Sequence, residues 1–345
     1  MITFLVGMNL TLYGKEVQKV GASSMTTLKI STSVRAAAMG DAFVATADDI
    51  SSIFWNPAGL FHLQKQAAYF TNINMPADIQ FNTIAAARNL GRKGVLGIHL
   101  LAMNTGDMPI RTIFHPDGTG ENFIAYDVVG GISYAQKFTD RFIYGLNFRL
   151  AISGIEDESY TGFLGDFGIL YETALRSLKL GMSIQNFGPD IKYSGEYYDY
   201  LDQGRRARSS PQKRGFNSAP PPTIYRIGLS ADFFEFFRIE KSEGMKGFLS
   251  LEMSHPNDNR ERLNLGLEFQ PNPILSLRAG YKFRIKNSFG YDEERWTVGW
   301  GLKIPIPTSS FVFHLDYAFV DLGKIREAGE GFSDQPHRFA LGINF

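Results

Sequence analysis

The sequence predicts an all-β membrane protein: an antiparallel up-and-down transmembrane β-barrel of about 14 strands, with a short helical N-terminal plug in its lumen. Three observations predict it. From Gln66 onward the chain repeats one pattern, a long run of alternating polar and apolar residues followed by a turn. When the runs are numbered as a meander, the long connectors fall on one side of it. The last run ends the chain on an aromatic, Phe345.

Composition narrows the alternatives. The 345 residues include 29 Phe, 15 Tyr, 3 Trp and 35 Gly, and no Cys. Without Cys there is no disulfide framework, thiolate metal site, Cys nucleophile or iron–sulfur cluster. Lys plus Arg equals Asp plus Glu at 35 each, so no global charge draws the chain to nucleic acid. No apolar window of roughly 18 residues follows the first few positions, which excludes a helical membrane protein.

In chain order, Met1–Tyr13 is apolar through Ile2, Phe4, Leu5, Val6, Leu10 and Leu12. With no basic residue ahead of it, this reads as the remnant of a signal peptide, and residues 1–20 as remnant plus lead-in. Residues 21–63 do not alternate. Their Ala-rich stretches, a candidate cap at Asp48-Asp49 and a stop at Asn56-Pro57 predict short helices joined by tight turns. Small residues suit packing inside a tube. Pro57 restricts Asn56 to extended geometry, and Gly59 is expected to allow a tight reversal, lodging Trp55–Leu60 in the lumen.

Residues 64–345 form the predicted barrel. Fourteen alternating runs lie near 66–74, 78–90, 93–103, 122–137, 141–153, 160–173, 176–187, 222–234, 246–254, 261–270, 273–284, 294–304, 310–320 and 336–345. Strands of about 9–11 residues cross a bilayer at a tilt, whereas soluble sandwich strands are usually shorter. In Arg141–Ile152, Phe142, Tyr144, Leu146, Phe148, Leu150 and Ile152 form the apolar, lipid-facing set. The inward set over the barrel carries Arg149, Arg226, Arg278, Lys282, Lys303 and Arg338 with Asp127, Asp166, Asp232, Glu268 and Asp316. Charges of both signs can pair across a lumen but not against hydrocarbon. No amphipathic helix interrupts the series after about Leu63.

The connectors test the topology. The third, seventh, eleventh and thirteenth are long (104–121, 188–221, 285–293, 321–335), and all are odd-numbered. Even-numbered connectors are short, apart from the eighth at 235–245. Outer-membrane barrels put long loops outside and short turns in the periplasm. An even strand number then places both termini in the periplasm. In the last run Phe339, Leu341, Ile343 and Phe345 share one face and end the chain on an aromatic. This resembles the C-terminal signal by which bacterial outer-membrane barrels are recognised for insertion, which makes Phe339 and Phe345 the candidate barrel-insertion signal for the barrel-assembly machinery.

No catalytic residue, metal or cofactor is expected. None of His62, His99, His115, His255, His314 and His337 stands at metal-ligand spacing with another, and hydrolase and phosphate-loop motifs are absent. A barrel phospholipase needs Ser and His at one depth on neighbouring strands; for His314 a plain lumen hydrogen bond is the simpler reading. Asp117-Gly118-Thr119-Gly120-Glu121 offers oxygens for calcium but reads more simply as a turn. Connector seven is the most unusual piece, read as a long loop without strands. Its Tyr197, Tyr198, Tyr200, Arg205, Arg206 and Arg208 suit a protein contact, a candidate cargo-contact surface, as well as a solvated loop.

Two stretches carry a specific resemblance. The first comprises Arg35-Ala36-Ala37-Ala38-Met39-Gly40, Ala42-Phe43-Val44-Ala45, Asp48-Asp49 and Asn56-Pro57-Ala58-Gly59-Leu60. The second comprises His255-Pro256-Asn257-Asp258-Asn259, Asn264-Leu265-Gly266-Leu267-Glu268 and Leu277-Arg278-Ala279-Gly280-Tyr281. Together they resemble the PorV/PorQ family, a branch of the FadL-like outer-membrane barrels; Asp41 stands where a small residue is expected. The resemblance implies a plug motif of Arg35, Met39, Gly40, Asp48, Asp49, Asn56, Pro57 and Gly59 inside the barrel. It also implies a place in type IX secretion: binding secreted proteins with a C-terminal signal domain and passing them to a surface sortase. The alternative it leaves is a FadL-like channel for hydrophobic molecules such as long-chain fatty acids.

Overall fold

Alternation sets the wall. Between Ile224 and Asp232, Arg226, Gly228 and Ser230 are buried while Tyr225, Ile227 and Leu229 are exposed, as a strand between lumen and lipid requires. The computed structural model describes residues 21–75, 78–112, 114–201, 207–284, 295–307, 309–321 and 337–345. The expected leader over residues 1–20 lies outside them.

The chain forms β1 (Gln66–Asn74), β2 (Gln80–Asn89), β3 (Val95–Asn104), β4 (Met108–Pro109), β5 (Asn122–Phe123) and β6 (Ala125–Thr139). Then come β7 (Phe142–Ile155), β8 (Glu158–Glu172), β9 (Lys179–Phe187), β10 (Glu196–Leu201), β11 (Ala207–Gly215) and β12 (Ile224–Asp232). The series ends with β13 (Lys246–Pro256), β14 (Arg262–Gln270), β15 (Leu275–Arg284), β16 (Trp296–Pro305), β17 (Val312–Val320) and β18 (His337–Asn344). Fourteen of these close an antiparallel barrel, β18 returning to β1 with Asn344 opposite Ala67. Every predicted run is a wall strand, its ends within three residues of expectation.

Two expectations are corrected. Connector seven is not strandless: β10 and β11 form their own hairpin, and Ile191 bridges Ala219 at its base. Connector three likewise holds the β4–β5 pair. Run eight ends two residues early: a single helical turn, α2 (Phe233–Phe237), starts where the strand was expected to continue, because the Asp232 carboxylate accepts from the Phe234 and Glu235 amides.

The described chain ahead of β1 takes a long route. The Ser24 amide donates to the Pro220 carbonyl at 3.0 Å, and Ser23 and Lys29 both reach Asp258. Pro220 and Asp258 belong to odd-numbered connectors, so the first described residues sit at the rim of the long loops. Phe345 exchanges two 3.0 Å backbone bonds with Gln66 at the opposite rim. The barrel's own strand ends share a rim as expected, but the chain ahead of them crosses the lumen from one rim to the other.

At that closing seam Phe339 and Leu341 are exposed outward, and Phe345 pairs rings with Phe311 at 5.6 Å. Phe345→Asp is expected to lower the yield of heat-modifiable barrel in outer-membrane fractions several-fold more than Asn344→Ala, because a carboxylate would then face lipid at the boundary. Equal yields would count against this register.

Candidate functional site

The plug is made of short capped turns. A 3-10 turn over Thr26–Lys29 leads to α1 (Val34–Ala38), whose Ser33 hydroxyl accepts from the Ala36 amide at 3.1 Å. Asp49 caps a second 3-10 turn, Ile50–Phe54, by accepting from the Ser51 amide at 2.8 Å. Asn56 has the extended geometry that Pro57 imposes (φ −144°). Asn56-Pro57 is more than a stop, however. The Asn56 side chain accepts from the Ala58 amide and caps the next 3-10 turn, Pro57–His62, with Pro57 at its first position. Gly59 makes no reversal: it lies inside this turn, where a Cβ would stand 2.5 Å from the Ala47 carbonyl oxygen.

Arg35 is the centre of the charged site. Its guanidinium grips Glu268 of β14 with two bonds, Nε to Oε2 at 2.8 Å and Nη2 to Oε1 at 2.9 Å. Its Nη1 bonds Asp48 and, at 2.8 Å, Asp49. Glu268 is fully buried and also accepts from Arg278 Nε of β15 at 2.7 Å, while Arg278 Nη1 reaches Asp316 of β17 at 2.5 Å. Bidentate, charge-assisted geometry of this kind gives direction as well as energy. A neighbouring pair, Lys282 to Asp41 at 2.5 Å, accounts for Asp41, the residue that departs from the family pattern.

A second node lies beside it, on the adjoining strands β13 and β12. Glu252 of β13 accepts from the Phe43 and Val44 amides at 2.9 and 2.8 Å and from the Trp55 indole at 3.2 Å. Arg226 of β12 bonds Glu252 at 3.3 Å and lies 4.0 Å from the centre of the Trp55 ring, a cation–π stack. Asn147 and Gln185 hold the carbonyls of Ile53, Phe54 and Trp55. The plug's backbone is thus bonded by wall side chains wherever its own short turns leave groups open.

Glycines in the wall let the plug lie flat against it. A Cβ at Gly280 would stand 2.0 Å from the Gly40 amide nitrogen, one at Gly145 2.2 Å from the Ala58 nitrogen, and one at Gly181 2.3 Å from the Val44 oxygen. Gly40 itself adopts φ +62°, which glycine tolerates without strain. Met39, Phe43, Ile53 and Leu60 are fully buried, so the lumen at this level is filled.

The two sequence stretches therefore meet in space: Arg35 and Gly40 of the first touch Glu268 and Gly280 of the second, and beside them Asp41 pairs with Lys282. The expected inward charges line the lumen, with Arg149 on Asp166 at 2.5 Å and Asp127 holding Thr27 and Ser153. Tyr197 is exposed and packs against Phe216 at 5.5 Å. Arg205 and Arg206 lie outside the described residues, as do the side chains of Tyr198, Tyr200 and Arg208. Glu252, Gln185, Asn147 and the wall glycines escaped the sequence reading. Their signal was a polar residue or Gly recurring on the inward parity.

A family model described as "Type IX secretion system protein PorV" matches residues 14–199. The chain belongs to the PorV family. It is an outer-membrane β-barrel of type IX secretion, and its family and fold are those of a secretion or transport barrel rather than an enzyme family. Compared by sequence with curated proteins, it matches none. Its fold is similar to that of FadL-like channels. The Pseudomonas putida toluene transporter TodX is 11% identical with TM-score 0.54, over 90% of this chain and 98% of that one. The monoaromatic hydrocarbon channel CymD is 12% identical with TM-score 0.54, over 90% and 95% of the two chains. A Pseudomonas aeruginosa FadL homologue is 12% identical with TM-score 0.51, over 90% and 97%.

Within this PorV-family barrel, one Ser–His pair does stand on neighbouring strands: His99 Nδ1 is 3.3 Å from the Ser133 hydroxyl. Both are buried, His99 lies edge-on to the Phe54 ring, and among the described residues no carboxylate bonds the imidazole, so the pair is a packed lumen contact. His314 bonds Asn344, and no cluster of three metal-ligating side chains occurs among the described residues.

Proposed function

We propose that this PorV-family barrel binds secreted proteins carrying a C-terminal signal domain at the rim of its odd-numbered connectors, and passes them to a sortase-like partner on the cell surface. In this reading the long-connector rim faces outward. The filled lumen carries the proposal: with the plug bonded to the wall by Arg35, Glu268, Glu252 and Arg226, the surface left for a partner is the rim. Connector seven is clamped there by Ile191–Ala219, by the Ser24 bond to Pro220 and by Asn257 Nδ2 on the Pro221 carbonyl at 2.8 Å. A clamped base that carries the exposed Tyr197 near the start of β10 makes a preorganised contact surface.

The second reading is a channel for hydrophobic molecules, as the names of the structurally similar proteins say of those proteins. One observation favours it. The β8–β9 register breaks between Gly165, opposite Phe187, and Phe167, opposite Ile184. A break beside glycine is where a barrel wall would open sideways.

Replacing residues 196–214 by a Gly-Ser link separates the two readings. The barrel is expected to stay folded, since surface loops tolerate length change cheaply. Secreted proteins co-purifying from native outer membrane should fall about tenfold, as expected for losing one aromatic hot spot. Full retention of partners would reduce connector seven to a solvated loop. Wild type that captures no secreted protein but supports long-chain fatty-acid uptake would establish the channel.

A further inference from the structure

Each even-numbered connector, or the strand end entering it, presents a large apolar side chain in the open: Leu90, Phe138 at the end of β6, Leu175, Phe237, Ile274 and Phe311. Phe138 is 76% exposed and Phe237 62%, unusual for protruding aromatics facing water. Together they form a collar around the rim opposite the long loops, continuous with the lipid-facing wall through Tyr134 and Tyr144, whose hydroxyls share Gln136.

Between the tips of connectors four and six lies a cleft of about 340 Å³, lined on its charged side by Asp140, Arg141, Glu172, Arg176 and Lys179. Its charges are not saturated. Lys179 stands 4.0 Å from Glu172, the outer limit of an ion pair, and Arg141 has no carboxylate partner among the described residues. Arg176 donates to the Phe236 carbonyl, and its guanidinium lies 6.0 Å from the Phe236 ring, joining the cleft to the aromatic helix α2.

We infer that this cleft binds the headgroup of a glycerophospholipid of the periplasmic leaflet. Arg141 and Lys179 take the phosphate, Asp140 and Glu172 take a headgroup ammonium, and the collar beside them seats in the acyl boundary. Cations and carboxylates side by side complement a zwitterion, and long basic side chains readily reach a headgroup from an apolar base. A free phosphate uses the cations alone and leaves the collar unexplained. The inference rests on the outward orientation proposed above, since that orientation puts the even connectors in the phospholipid leaflet.

Native mass spectrometry of the full chain, delipidated in detergent and then offered phosphatidylethanolamine, lipid A or inorganic phosphate, tests it. Wild type and the control Arg92→Glu, a rim cation of connector two, are expected to retain phosphatidylethanolamine. Arg141→Glu/Lys179→Ala should retain roughly tenfold less, the order expected for two lost cation–phosphate contacts. Heat-modifiable migration confirms folding, and Arg141→Ala replaces the double variant if that one fails to fold. Equal retention by variant and control overturns the site. Inorganic phosphate displacing the lipid makes it a free-anion site and overturns the lipid assignment. Retention of lipid A instead overturns the orientation and with it this ligand.

Discussion

A chain lacking residues 28–60 is expected to insert as a barrel and to conduct small ions in planar bilayers, where the intact protein stays near silent. A ring of about eight strands can be filled by its own side chains, but the 14 strands here enclose more space than the wall can fill. What fills it is α1 and the turns after it, with Met39, Phe43, Ile53 and Leu60 fully buried. The wall glycines widen the lumen further once the plug backbone is gone. The charges left behind at Glu268, Glu252 and Lys282 would be hydrated, as a water-filled pore allows. Unchanged, near-zero conductance would refute the assignment of residues 28–60 as the seal.

The second large effect belongs to Glu268. Two guanidinium groups, Arg35 and Arg278, are bonded to this one buried carboxylate. Glu268→Leu leaves both cations in the lumen with a reduced set of partners, Asp48, Asp49 and Asp316. Removing one member of a buried pair typically costs about 3–5 kcal/mol, because the penalty is that of an uncompensated charge. The loss should appear as an earlier folding midpoint in lipid vesicles and as protease cleavage within residues 21–63. Lys213→Ala is the comparison: Lys213 and Glu196 are 3.4 Å apart and both well exposed, and such pairs are worth roughly 0–1 kcal/mol. Equal shifts for the two variants would show that Glu268 does not hold the plug.

The wall was legible because a period of two, sustained over long runs, admits few other folds. The β12 segment reads correctly residue by residue, up to Asp232. There a local effect wins: the carboxylate caps two amides, and the alternation of Ala231, Asp232 and Phe233 no longer reports on strand. The hairpin in connector seven was hidden for a related reason, since β10 and β11 pair only with each other outside the barrel wall, where no boundary between lumen and lipid imposes a period on their sequence. Single plug residues could be named from a resemblance, yet their partners could not. Nothing in Arg35 or Glu268 alone says that 233 positions separate two atoms 2.8 Å apart. The strand glycines were visible as letters, but their use, admitting a second backbone, depends on a contact that only the fold supplies.

The route of the N-terminal segment, in at one rim and out at the other, makes the molecule a lasso: a ring of hydrogen bonds drawn around its own rope. Phe43 and Trp55 are wedged against the wall, so laying the rope before the ring closes spares both from being drawn past the strands. On that order the mutual backbone bonds of Gln66 and Phe345 act as the clasp, made when β18 meets β1. Bulk added to the rope and weakness added to the clasp are thus defects of one and the same step.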